Sequence, residues 1–105
     1  MNIINLTPHS IVIISESGTR TIPASGSVAR AKTIREQIDC IDGIPVFRTV
    51  FGEVEGLPEP AEGTIYIVSS LAAQGAKHRN DLYVTDDPVR DDEGRIIGCR
   101  ALGKI

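Results

Sequence analysis

Apolar positions in this chain fall in short β-branched runs rather than at helical spacing. Ile3-Ile4 and Ile11-Val12-Ile13-Ile14 are two such runs, separated by Asn5-Leu6-Thr7-Pro8-His9-Ser10, where Pro8 interrupts any ladder. The turn cluster Ser15-Glu16-Ser17-Gly18 then leads into an alternating segment, Thr19 to Ile22, that ends at Pro23, so the pair reads as a hairpin. Val28 to Ile38 favours strand, with Arg30 and Lys32 alternating against Val28, Ala29 and Ala31. The strongest local signal is Asp42-Gly43 between Ile38-Asp39-Cys40-Ile41 and the run Ile44 to Phe51. Asp-Gly tolerates positive φ at both central residues, which a type I′ hairpin demands. Pro45 has no amide to donate, so it places the outgoing strand at or near an edge.

Beyond it, Glu55 to Gly63 reads as an exposed acidic loop kept extended by Pro58 and Pro60. Thr64 to Val68 is a clear strand, and 69–78 is the one good helix candidate, capped by Ser69 or Ser70 and weakened by Gly75. Asp81 to Val84 continues as strand, Asp86-Asp87-Pro88 reads as a stop, and a last strand, Arg95 to Leu102, is entered through Asp91-Asp92-Glu93-Gly94. The pattern predicts a single domain over 1–105 of the α+β, mainly-β class. Its sheet is expected to be compact, antiparallel and partly closed, with about seven to eight short strands and one short helix. Too few helices are present for a doubly wound sheet.

Composition sharpens this picture at three points. Only Phe47, Phe51, Tyr66 and Tyr83 are aromatic, so the core has to be built from Ile, Val, Leu and Ala. A net charge of −3 argues against binding to duplex nucleic acid, which needs a basic excess. Arg outnumbers Lys eight to three, and Arg forks onto carboxylate or phosphate, a mild pointer to small anionic ligands. Cys40 and Cys99 have no metal-ligand spacing and read as buried, reduced thiols. No run is long enough to span a membrane, and Met1 to Asn5 is too short and uncharged for an export signal, which places the expectation in the cytoplasm.

No nucleophile elbow, phosphate loop, zinc-protease or dinucleotide motif occurs, so neither a catalytic residue, a metal nor a cofactor is assigned. Glu53 and Glu55 as a carboxylate pair are a weak acid/base candidate. The junction Ser69-Ser70 offers hydroxyls and unpaired amides to a phosphate, although ordinary capping explains both residues. His78-Arg79-Asn80-Asp81 combines donors with an acceptor suited to a ribose or base edge. Asn5, Thr7 and His9 read either as a self-satisfied polar interruption or as the rim of a pocket.

Taken together, Asn5-Leu6-Thr7-Pro8-His9, Gly52-Glu53-Val54-Glu55-Gly56-Leu57-Pro58, Tyr66-Ile67-Val68-Ser69, Val89-Arg90-Asp91 and Gly94 to Gly98 span nearly the whole chain. In these segments the chain resembles a recurrent group of small proteins encoded by phages and prophages. The resemblance implies a phage context, in an infected or lysogenic bacterial host, and carries no reaction. By analogy of class, such proteins include oligomeric sponges that sequester nucleotide immune signals, cyclic dinucleotides or ADP-ribose derivatives. The leading expectation is therefore a non-enzymatic homo-oligomer that binds a small anionic nucleotide-like ligand. Ser69 and Ser70 would hold phosphate, Arg48 or Arg79 would neutralise it, Phe51 or Tyr66 would stack a base, and Asn5, Thr7, His9, Gln74 and Asp81 would select. A protein–protein interaction module, either a phage assembly component or an inhibitor of a host enzyme, is the alternative. A small hydrolase using Glu53, Glu55 or Asp81 is a second.

Overall fold

A computed structural model describes residues 1–105. Its elements run β1 (Asn2–Asn5), β2 (Ile11–Ser15), β3 (Gly18–Ile22), β4 (Arg30–Ile41), β5 (Ile44–Glu55), β6 (Thr64–Ile67), α1 (Ser70–Gly75), β7 (Leu82–Arg90) and β8 (Ile96–Gly103). The class is mainly-β α+β, as the pattern implies. The strands form one six-stranded sheet in the order β1-β6-β7-β8-β2-β3 and a separate two-stranded ribbon, β4-β5.

The six-stranded sheet is mixed rather than antiparallel: β1 and β7 both run parallel to β6, and β2 runs parallel to β8. It curls until its two edges meet. Ser25 donates its amide to Asn5 O at 3.0 Å, Ala29 donates to Leu6 O at 3.0 Å, and Asn5 bridges Ala24 in parallel. Alternation along β6 divides the interior. Tyr66 and Val68 pack with Leu6, Ala72, Ala73, Ala76 and Leu82 beneath α1, while Ile67 turns to the inside of the curl against Ile11, Ile22 and Cys99.

Three expectations need correction. The helix closes after six residues, Ser70–Gly75, because α1 fills only the space above β6 and its C-cap, Ala76, leaves helical geometry at φ −130 and ψ 45. The Asp86-Asp87-Pro88 segment does not stop β7. Beyond Tyr83, β7 pairs only with β8, so one edge is open where Pro88 sits, and Asp87 takes up the irregularity at φ 54. Cys99 is buried as expected, but Cys40 is exposed.

Nor are all the strands short. β4 and β5 each run for 12 residues and leave the body as a free ribbon, closed by the expected turn with Asp42 at φ 51 and Gly43 at φ 78. The ribbon stretches the molecule to 55 × 39 × 21 Å and its radius of gyration to 16.7 Å. A compact chain of this length would have a radius of gyration of about 13 Å.

The root of this arm is tightly seated. Gly56 turns the chain at φ +80 so close to the Val28 carbonyl that a Cβ there would overlap it. A Cβ on Gly75 would lie 2.9 Å from Val54 Cγ2, so helix and arm touch where only glycine fits.

Candidate functional site

The residues that the sequence singles out separate into three places. The first is the seam where the sheet edges meet. Asn5 is 1% exposed, and its Nδ2 donates to His9 O at 2.8 Å and to Ile22 O at 3.1 Å. Its Oδ1 accepts from Thr7 N at 2.9 Å and from the Thr7 hydroxyl at 2.6 Å. The carboxamide thus ties β1 to the end of β3 and folds the Thr7-Pro8-His9 turn over itself. Asn5 and Thr7 are consumed internally, and His9 is held by its backbone while its side chain stays exposed.

The second place is α1 and the turn that follows it. Ser69 Oγ accepts from Ala72 N at 3.1 Å, so the hydroxyl expected to hold phosphate works as an N-cap, while Ser70 is exposed. Gln74 is half-buried on the helix. Past the helix, Arg79 Nε and Nη2 donate to Asp81 Oδ1 and Oδ2 at 2.9 and 2.8 Å, with both side chains only 13% exposed. Hydrogen bonding to Arg79 holds the Asp81 carboxyl below its ordinary range despite burial, and the same bond raises Arg79. The guanidinium also lies 6.0 Å from the centre of the Tyr66 ring, whose hydroxyl donates to Glu59 O at 3.3 Å. Tyr66 is 3% exposed and offers no open face to a base, which leaves Phe51 as the other stacking candidate.

Between this turn and the root of the arm lies a cleft of about 430 Å³, lined on one side by Glu53, Val54 and Leu57 and on the other by Gly75, His78 and Arg79. It is the one place where an expected ligand residue, Arg79, meets His78 and a carboxylate across a cavity. Glu55 is held by Lys32 Nζ at 2.8 Å, and this hydrogen bond, with nearby Glu53 adding to it, raises the Lys32 amine above its ordinary value.

The third place is the arm. Arg48 and Phe51 sit on β5 in regular register, opposite Glu36 and Thr33, so they face opposite sides of the ribbon and do not share a pocket. Arg48 reaches Glu36 only at 3.9 Å. Around them the arm exposes Ile34, Ile38, Ile41, Ile44, Phe47, Val50 and Phe51, each 37–64% accessible. Both faces carry apolar side chains among polar ones: the Ile34–Val50 pair lies on one, Phe47 and Phe51 on the other, with Arg35 4.4 Å above Phe47. Sequence reading missed this surface. Its signal was there, in apolar residues that occupy both faces of a long hairpin with no other element assigned to cover it.

No helix is long and apolar enough to cross a membrane. No family model, curated protein or solved structure matches the chain.

Proposed function

We propose that the protein works by contact with another polypeptide, as an assembly or inhibitory module whose working surface is the β4-β5 arm. The observation that carries this reading is the set of seven large apolar side chains, 37–64% exposed, on a ribbon whose outer edges have no partner strand. A two-stranded hairpin is marginal in water by itself, and bare strand edges invite pairing. The phage context implied by the sequence resemblance fits such a module. A photo-reactive amino acid placed at Val50 in the producing cell is expected to cross-link to a polypeptide, either a second copy or a different chain. Absence of any polypeptide adduct from Val50, Ile34 and Phe47 alike would refute the reading.

Capture of an anionic nucleotide-like ligand is the second reading, favoured by the convergence of His78 and Arg79 on the cleft at the arm root. Incubating the protein with cyclic dinucleotides and ADP-ribose derivatives, then denaturing it and weighing what is released, tests that reading. Intact ligand supports capture, altered ligand supports a hydrolase, and no bound ligand removes both.

A further inference from the structure

Two unpartnered features of the molecule complement each other. The first is one face of the arm. From Thr33 to Gln37 the ribbon is in regular register with Phe51 to Phe47, so Thr33, Arg35, Gln37, Phe47, Thr49 and Phe51 share that face. Its rings, Phe47 and Phe51, are 44% and 37% exposed. Its one charged residue, Arg35, lies over Phe47 and has no carboxylate partner, while Glu36 and Arg48 on the opposite face approach each other.

The second is a cavity of about 350 Å³ in the body, beside the single registered pair between β2 and β8, Ile13 with Cys99. Ile11 and Cys99 line it as buried residues, Pro88, Ile96 and Ile97 as exposed ones. Asp86 is the one charged residue in its lining, and no cation pairs with it. The arginines nearby are engaged: Arg100 lies 3.7 Å from Asp87, Arg95 holds Asp91 and Glu93, and Arg90 donates to Gly94 O.

No arm residue lines this cavity within one chain. The arm is rooted against α1, on the outer cluster, whereas Ile11 and Cys99 belong to the cluster inside the curl. Each feature lacks what the other has. The arm projects aromatic rings and a free cation, and the body offers a concave apolar site with a free carboxylate.

We infer that the cavity beside β2 and β8 receives the arm of a second copy by its Phe47–Arg35–Phe51 face, with Phe47 entering the cavity and Arg35 meeting Asp86. This rests on the arm being the contact surface and adds the identity of what it contacts. Arm and cavity are different patches, so the contact is heterologous: every copy gives an arm and takes one. Repeated, it makes a closed ring, of two copies at the smallest, or an open filament.

The test is sedimentation equilibrium on the full chain from micromolar to submillimolar concentration, with an arm variant, Arg35→Glu with Phe47→Asp, and a cavity variant, Asp86→Lys with Ile97→Lys. All four positions are exposed, and circular dichroism checks that each variant keeps the parental fold. The parent is expected to associate, and each variant alone to dissociate at least about tenfold more readily, because like charges then meet at the contact. Mixed in equal amounts, the two should form mixed dimers and nothing larger, since only the cavity variant's arm and the arm variant's cavity remain competent. As a milder pair, Arg35→Glu and Asp86→Arg should each weaken association alone and restore it when combined in one chain. A parent that stays monomeric overturns the inference, as does association that survives either the arm or the cavity variant, or a mixture that stays monomeric or grows beyond a dimer. A monomeric parent whose arm still cross-links to a different polypeptide would sink the docking of a second copy and leave the contact reading standing; no adduct at all would sink both.

Discussion

Replacing Asn5 by Ala tests whether the sheet is closed by a single carboxamide. The substitution removes both donations from Nδ2 and both acceptances by Oδ1. The Ile22 carbonyl lies in the buried part of the seam and loses its side-chain donor, while the Thr7 amide and the His9 carbonyl are only part-buried and can turn to water. At ~1–3 kcal/mol for each buried polar group left unmade, one full and one partial loss amount to about 2–4 kcal/mol. For a domain of this size that lowers Tm by roughly 8–32 °C, at ~4–8 °C per kcal/mol. Calorimetric melting measures it. Asn5→Asp sharpens the test, because a carboxylate would face two carbonyl oxygens with nothing to donate. Its deficit should be at least as large near neutral pH, and should shrink as acid restores a proton. An Asn5→Ala protein melting within about 3 °C of the parent would refute the seam argument, since that is under 1 kcal/mol for a domain this small. A stable Asn5→Ala protein that lost a bound ligand would return Asn5 to the ligand reading.

Three further outcomes follow from the same geometry. Asp81 has a folded-state pKa lowered from 3.8, so the stability it contributes is fully present above that value and is lost as pH falls through the lower one; Asp81→Asn should flatten the acid limb of a stability–pH curve, and an unchanged limb would deny the coupling. Gly56→Ala combines a positive φ with overlap at the Val28 carbonyl and should cost ~2 kcal/mol or more in urea unfolding, whereas a parental midpoint would mean the arm root is loosely seated. Ser69→Ala should cost about 1 kcal/mol through the lost cap while exposed Ser70→Ala stays within about 0.5, and equal losses at the two sites would contradict the capping assignment.

Local chemistry was legible where one residue type leaves few options. Asp42-Gly43 announced its turn, the Ser69-Ser70 pair a helix cap, and the run from Thr64 its strand. What could not be read were relations between distant segments. The parallel pairings of β6 and β8 depend on which strands the curl brings together, and periodicity says nothing of strand direction. Asn5-Leu6-Thr7-Pro8-His9 looks the same in sequence whether its polar groups serve a ligand or each other, and only the arrival of Ile22 O beside Asn5 Nδ2 decides it. The arm was hardest, since apolar residues in a strand are normally taken as core; Ile34 and Phe47 satisfy every local rule for burial and are nonetheless 63% and 44% exposed.

The buried clusters draw nothing from the chain between Thr33 and Phe51. Mutation can therefore explore the outer arm under a separate set of constraints from the body, with solubility and partner choice as the only checks. A lineage carrying this fold could exchange one recognition surface for another by rewriting a single contiguous stretch, without renegotiating the scaffold that presents it.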